Sequence, residues 1–254
     1  MLQTAIRAAK KAAVISRKYY RKIKRVKYKD HVTNLVTKVD YLSEKTIVKE
    51  ILKKYPSHGI ITEEVESRES DSEFRWIIDP LDGTVNYAHG FPLYCISIAL
   101  QKNEETMIGV VFAPVLNELF VAIKGKGAYL NGKRISVSKK NNLRKAFLVT
   151  GFSYTVHFRR GNEFKHFEKF CTKSQAVRRG GSAALDLCYV ACGIFDGFWE
   201  KGLYPWDTAA GVLMIEEAGG KVSDYCGKEF DMFKDEITAS NGRIHKKMVK
   251  ITRG

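Results

Sequence analysis

Apolar residues recur at helical spacing along two N-terminal segments. Over residues 5–20, Ile6, Ala9, Ala13 and Tyr20 fall on one stripe with basic residues opposite, which predicts an amphipathic helix. A second helix is predicted over about residues 40–54, with Leu42, Ile47 and Ile51 on its apolar side and Tyr55-Pro56 as its stop. Residues 59–62 read as a short strand ending in the pair Glu63-Glu64, and residues 66–73 as a polar loop. Strands then dominate, at 74–78, 93–100, 108–113 and 119–123. Asn131-Gly132 is a hairpin-turn signal, flanked by strands at 128–130 and 135–137. Beyond about Lys139 strands and helices alternate, with helices predicted near residues 183–191 and 208–218. With no repeat or linker in view, this is one continuous α/β (α+β) unit, a half of residues 1–138 packed on a half of residues 139–254.

Composition narrows the class. The chain has 254 residues, long enough for one large domain. No apolar run approaches the ~18 residues of a membrane span, and the N-terminus lacks the apolar stretch of a signal peptide. A cytoplasmic location is the expectation. The 5 cysteines are an odd number without a Cys-x-x-Cys pair, which sets aside zinc fingers and disulfide scaffolds. The net charge of +15 is fed by a basic run that includes Lys10, Lys11, Arg17, Lys18, Lys24, Arg25 and Lys29. Such a run is either a solvated helix face or an attractor of anions, phosphorylated metabolites or nucleic acid.

The candidate chemistry begins where an apolar strand ends in Asp79-Pro80-Leu81-Asp82-Gly83-Thr84. Pro80 is expected to stop the ladder. Two carboxylates this close repel unless a cation lies between them. Gly83 allows close approach of the backbone to an anion, and a helix starting near Thr84 would offer free N–H groups to a phosphate. The plain alternative is an Asp-capped turn. Asp207, ahead of the small residues Thr208-Ala209-Ala210-Gly211, reads equally as a helix cap. Taken with Glu63-Glu64, these segments supply acidic groups from separate elements, as a hard, oxygen-liganded cation requires.

These residues resemble a known family. The runs Asp79-Pro80-Leu81-Asp82-Gly83-Thr84-Val85-Asn86 and Trp206-Asp207-Thr208-Ala209-Ala210-Gly211 through Glu217-Ala218-Gly219-Gly220 are similar to the two signature motifs of the inositol monophosphatase family. The likeness extends to Asn34-Leu35-Val36-Thr37 with Asp40, to Gly181 through Asp186, and to Asp196-Gly197-Phe198-Trp199-Glu200, which looks most like the bacterial inositol-1-monophosphatases.

The resemblance implies a layered αβαβα sandwich of the inositol monophosphatase and fructose-1,6-bisphosphatase type. It also implies a homodimer that hydrolyses a small-molecule phosphate monoester with Mg2+ and is commonly inhibited by lithium. It implies that Glu63, Asp79 and the carbonyl of Leu81 hold one ion, and that Asp79, Asp82 and Asp207 hold a second. Glu63 also helps to hold a weaker third through water. Asp40 and Thr84 match the pair that activates the attacking water, and the N–H groups of Gly83 and Thr84 match the phosphate cradle. Glu200, Ser182 and Ala183 match the pocket for the alcohol. Arg178 and Arg179 suit a second phosphate, a structural role or a subunit interface equally. Asn34 departs from the aspartate of many relatives, which removes a charge behind the metal site. The implied substrate is inositol-1-phosphate, with fructose-1,6-bisphosphate as the alternative.

Overall fold

In a computed structural model of the chain, every residue is described except 23–26, 29–34, 66, 154–155 and 157–160, and of residues 27, 28 and 35 the backbone alone. Lys24, Arg25, Lys29, His31, Asn34, Glu66 and His157 therefore lie outside the described residues.

Helix α1 (Leu2–Tyr19) packs on α2 (Lys38–Leu52). Its buried face is Ala5, Ala8, Ala9, Ala12, Ala13 and Ser16, whereas Ile6 is only half-buried. The predicted stripe was thus centred a little off. Alanines fill the interface because α1 lies close against both α2 and the sheet beneath, and small side chains allow that approach. Between the two helices a short antiparallel pair, β1 (Lys27–Tyr28) and β2 (Leu35–Val36), precedes Thr37, the N-cap of α2.

A seven-stranded sheet follows in the order β3 (Gly59–Thr62), β4 (Phe74–Asp82), β5 (Cys95–Lys102), β6 (Glu105–Ala113), β7 (Glu118–Ile123), β8 (Gly127–Leu130) and β9 (Lys133–Arg134). Only β3 and β4 pair in parallel; the remaining pairs are antiparallel. Two expectations are corrected here. Pro80 does not end β4: pairing resumes at Asp82 with Cys95 after a register shift, so the proline sits in the irregular stretch where it has no ladder bond to break. The Asn131-Gly132 hairpin forms, with φ of 50° and 78° at the two positions, but the returning strand is Lys133–Arg134. Ile135 still donates to Ala128, while Val137 has left the sheet to donate to Ala218.

A second sheet of five strands has the order β11 (Ala176–Arg179), β10 (Phe147–Thr150), β12 (Gly197–Lys201), β14 (Glu236–Ser240) and β13 (Lys221–Ser223). Helices α5 (Ala183–Ala191) and α6 (Pro205–Glu217) lie between the two sheets. On the outside of the second sheet are α4 (Glu163–Lys173) and α7 (His245–Thr252). The layers are therefore α1/α2, seven strands, α5/α6, five strands, α4/α7, the αβαβα sandwich. One apolar core runs through both faces of the α5/α6 layer, and each outer gap holds a core of its own. The run of small residues in α6 makes the middle layer tight. A Cβ on Gly211 would meet Leu187 of α5 at 2.6 Å, and one on Gly109 of β6 would meet the carbonyl of Ala210 at 2.8 Å. No described helix is long and apolar enough to cross a membrane.

Candidate active site

The irregular end of β4 carries Asp79, Leu81 and Asp82 into the interior, where they are 1%, 0% and 8% exposed. Gly83 follows at φ +90°, and α3 (Thr84–Ala88) starts at once. Gly83 has no room for a side chain: a Cβ would lie 3.0 Å from the carbonyl of Leu93 and 3.1 Å from that of Gly181. The loop ahead of α5 is thereby brought against the loop that follows β4. Asn86 ties the two together, its amide donating to Leu93 at 2.6 Å and to Gly180 at 2.9 Å.

Three carboxylates converge here. One oxygen from each of Asp79, Asp82 and Asp207 lies within 4.8 Å of the others. Each is anchored through a single oxygen. Asp79 Oδ1 accepts from the N–H of Leu81 at 2.8 Å. Asp82 Oδ2 accepts from the Ser182 hydroxyl at 2.6 Å, from the N–H of Ala184 at 2.8 Å and from the Cys95 thiol at 3.6 Å. Asp207 Oδ2 accepts from the N–H of Tyr204 at 2.8 Å, capping α6. The other oxygen of each has no hydrogen-bond donor among the described residues. The cap reading of Asp207 and the ligand reading are both satisfied, one oxygen serving each. Glu63, half-buried just beyond β3, is outside the 4.8 Å set.

The electrostatics follow from this crowding. Burial, then the charges of Glu63, Asp82 and Asp207, push Asp79 well above the usual carboxylate range. Burial raises Asp82 to about 6 against its three hydrogen bonds. Asp207 is also raised well above its ordinary value, by burial and by Asp82 and Glu63. Such a cluster of hard oxygen donors, mutually repelling and each with one oxygen uncommitted, fits a divalent cation.

Beside it, Asp40 is wholly buried at the start of α2. Its Oδ2 accepts from the backbone N–H of Thr37 at 3.0 Å and from the Thr37 hydroxyl, while its Oδ1 accepts from the Thr84 hydroxyl at 3.1 Å. The same hydroxyl also lies 3.1 Å from the carbonyl of Leu81, so one proton has two acceptors. Burial lifts Asp40 to about 6. Sequence reasoning missed Glu44, one turn after Asp40. It is buried and accepts from Thr62 Oγ1 and the N–H of Glu64, holding the end of β3 that leads into Glu63. Its signal in the sequence is an acidic residue on the otherwise apolar side of a helix.

The remaining predicted residues are spread along α5 and the second sheet. Ser182 and Ala183 open α5, and the Ser182 proton is committed to Asp82, so that hydroxyl has only acceptor capacity left. Glu200 on β12 is 8% exposed, and burial with the charge of Asp82 lifts it to about 8 against the pull of Arg179. Arg178 and Arg179 are exposed on the edge strand β11, stacked over the rings of Phe147 at 5.1 Å and Phe152 at 5.6 Å. A separate cleft of about 460 Å³, lined by Gly59, Arg68, Ser70, Arg75 and Glu104 among others, contains none of these residues.

A five-layer sandwich thus carries, at a strand end next to the starts of α3, α5 and α6, an acidic centre whose oxygen donors fit a hard cation. The chain belongs to the inositol monophosphatase family, whose model matches residues 1–253. It is 42% identical to an inositol-1-monophosphatase of Synechocystis over 89% of this chain and 79% of that protein. It is equally 42% identical to a Nus factor SuhB of Haemophilus influenzae, over 100% of this chain and 96% of that one. Among solved structures, the inositol monophosphatase of Anabaena superposes with a TM-score of 0.91 at 40% identity, covering 99% of this chain and 94% of that one.

Proposed function

We propose that the chain is a Mg2+-dependent phosphomonoesterase that hydrolyses inositol-1-phosphate to inositol and phosphate. The observation that carries this reading is the set of Asp79, Asp82 and Asp207, each fixed through one oxygen and uncommitted at the other. Glu63, Asp79 and the Leu81 carbonyl would hold one ion, and Asp79, Asp82 and Asp207 a second, with Asp79 shared. Ions bound there supply positive charge that polarises the phosphate, acidifies the attacking water and neutralises the leaving oxygen.

The protein's own groups do the rest. Asp40 accepts the Thr84 proton, which turns the Thr84 oxygen into an acceptor for the water's proton and aims that water at phosphorus. The N–H groups of Gly83 and Thr84 precede the first helical bond of α3, from Tyr87 to Gly83, and receive phosphate oxygens. Glu200 accepts from hydroxyls of the departing alcohol. The test is phosphate release with Mg2+ from inositol-1-phosphate, fructose-1,6-bisphosphate, 3′-phosphoadenosine 5′-phosphate and NADP. Inositol-1-phosphate is expected to give the highest kcat/KM; release from none of the four defeats the phosphatase reading, and preference for the bisphosphate replaces the substrate.

A second reading, polyanion binding by α1, is favoured by the relatives named Nus factor and by the exposed Lys10, Lys11, Arg17, Lys18, Arg21 and Lys22. Part of that charge is occupied within the chain: Arg7 and Lys11 pair with Glu50, and Arg17 donates to the carbonyl of Pro114 at 2.9 Å. RNA affinity that falls steeply with salt and with neutralisation of Lys10, Lys18 and Lys22 supports it. Absent or salt-insensitive binding removes it.

A further inference from the structure

A second pair of carboxylates, Asp186 and Glu200, lies at the end of the five-stranded sheet. There β11, β10 and β12 run parallel, with Arg179 level with Thr150 and Thr150 level with Trp199. The next residue of each chain, Gly180, Gly151 and Glu200, faces the other way. Leu148 and Trp199 belong to the outer core, whereas Val149 and Phe198 belong to the core beneath α5 and α6. Alternation along a strand therefore puts Gly180, Gly151 and Glu200 on the side covered by α5.

The two glycines clear the space that the two carboxylates fill. A Cβ on Gly151 would lie 2.2 Å from Glu200 Oε1, and one on Gly180 would lie 2.1 Å from Asp186 Oδ1. Asp186 is 2% exposed, and its Oδ2 is buried without a hydrogen-bond partner. Neither oxygen of Glu200 receives a hydrogen bond from a described residue. The nearby donors of α5, the Ser182 hydroxyl and the Ala184 N–H, are both committed to Asp82. A buried carboxylate without donors is costly to maintain unless a ligand supplies them. The charges on Asp82, Asp186 and Glu200 act on one another, and Arg179 is the cation acting on Glu200.

We infer that Asp186 is a specificity-determining residue. With Glu200 it accepts hydrogen bonds from adjacent hydroxyls of the leaving alcohol and selects uncharged polyols over alcohols that carry a second phosphate. This rests on the phosphatase reading above. Once ionised, the two carboxylates offer acceptors to several hydroxyls at once, and their joint charge then opposes another anion beside them.

The experiment compares the full-length, Mg2+-loaded wild type with Asp186→Asn on inositol-1-phosphate, p-nitrophenyl phosphate and fructose-1,6-bisphosphate. Because a hydrogen bond to a charged acceptor is a strong one, the ratio of kcat/KM for inositol-1-phosphate to that for p-nitrophenyl phosphate is expected to fall about tenfold or more. The fall resides in KM, and the bisphosphate gains relative to inositol-1-phosphate. The thermal midpoint stays level or rises, because Asp186 Oδ2 has no hydrogen-bond partner to lose, whereas a purely structural role predicts a lower midpoint and no change of ratio. Gly180→Ala, which displaces the Asp186 carboxylate without altering its chemistry, is expected to shift the ratio the same way. Wild-type turnover with ratios unchanged in both variants overturns the inference alone. Absence of wild-type turnover on all three substrates overturns the phosphatase reading, and the inference with it.

Discussion

The substitution Asp79→Asn separates two consequences of this residue's position that usually go together. The asparagine side chain would keep an acceptor for the Leu81 N–H at 2.8 Å and lose only the charge. Asp79 shares a 4.8 Å neighbourhood with Asp82 and Asp207, and two unit charges at that separation repel by about 3.5 kcal/mol at an effective dielectric constant near 20. Burial raises Asp79 well above its ordinary value, which lessens the relief on neutralising it to about 1–3 kcal/mol. For a chain of this size that corresponds to a rise of roughly 2–10 °C in the metal-free thermal midpoint.

The same substitution removes the ligand proposed to be shared by two ions. The stabilisation by Mg2+ is then lost, and kcat/KM falls by about 10³-fold or more, equivalent to about 4 kcal/mol of transition-state stabilisation. Circular dichroism melts with EDTA and with Mg2+, beside colorimetric phosphate release, read both quantities. A variant that retains a tenth of wild-type turnover, or that melts below the wild type in EDTA, refutes the reasoning.

Other expectations follow from the same geometry. Asp40→Asn is expected to lower kcat by about 10²–10⁴-fold, the usual contribution of a positioned base, while Mg2+ still raises the melting temperature; an unchanged kcat removes Asp40 from the proton path. Glu200 at about 8, with Asp40 and Asp82 at about 6, hold protons in the folded protein that the unfolded chain has released. Their contribution to metal-free stability is complete below about pH 4 and is lost as pH rises towards 8, with Asp40 alone accounting for on the order of 3 kcal/mol. Urea unfolding in EDTA between pH 5 and pH 8 measures this, and stability that climbs across the range contradicts it. Added Mg2+ should offset the loss, since a cation binds the deprotonated carboxylates. Gly109→Ala forces β6 away from the Ala210 carbonyl at 2.8 Å and should destabilise by about 1–3 kcal/mol. Gly125→Ala, with open space around it, should cost about 1 kcal/mol from its φ of +72° alone; equal effects in denaturant titrations would argue against the tight middle layer.

Local chemistry was legible wherever one element decided the outcome. Helix α5 is found at the predicted residues because its apolar run is bounded by Gly181 and Gly193, both at positive φ. The hairpin turn is found at Asn131-Gly132 because both positions need φ > 0. What sequence spacing could not carry was the double use of single side chains. Asp207 looks like a helix cap and is one through one oxygen, while its other oxygen faces the acidic cluster; Asp40 divides its two oxygens in the same way between Thr37 and Thr84. Periodicity registers that a residue is polar at a helix start; it does not register that its two oxygens point to different partners.

The same holds for the sheet. Pro80 forbids a ladder bond, and β4 accommodates it with a register shift, three residues from Asp79 to Asp82 passing two of β5 from Ser97 to Cys95, which the sequence of β4 alone does not show. Asp186 closes the run from Gly181, and nothing in its spacing gives it a role. Its relation to Glu200 exists only because β11, β10 and β12 place two glycines in one row. Sites assembled from three elements far apart in the chain become visible only when the layers are stacked.

Anomalous diffraction from crystals grown with Mn2+ and phosphate, Mn2+ standing in for Mg2+, reads out whether Asp79, Asp82 and Asp207 form a cation site that works on a phosphate ester. Anomalous peaks are expected touching Asp79 and shared with Asp82 and Asp207, with phosphate beside Gly83 and Thr84. Crystals that take up Mn2+ elsewhere, with these three carboxylates free of metal, would contradict it.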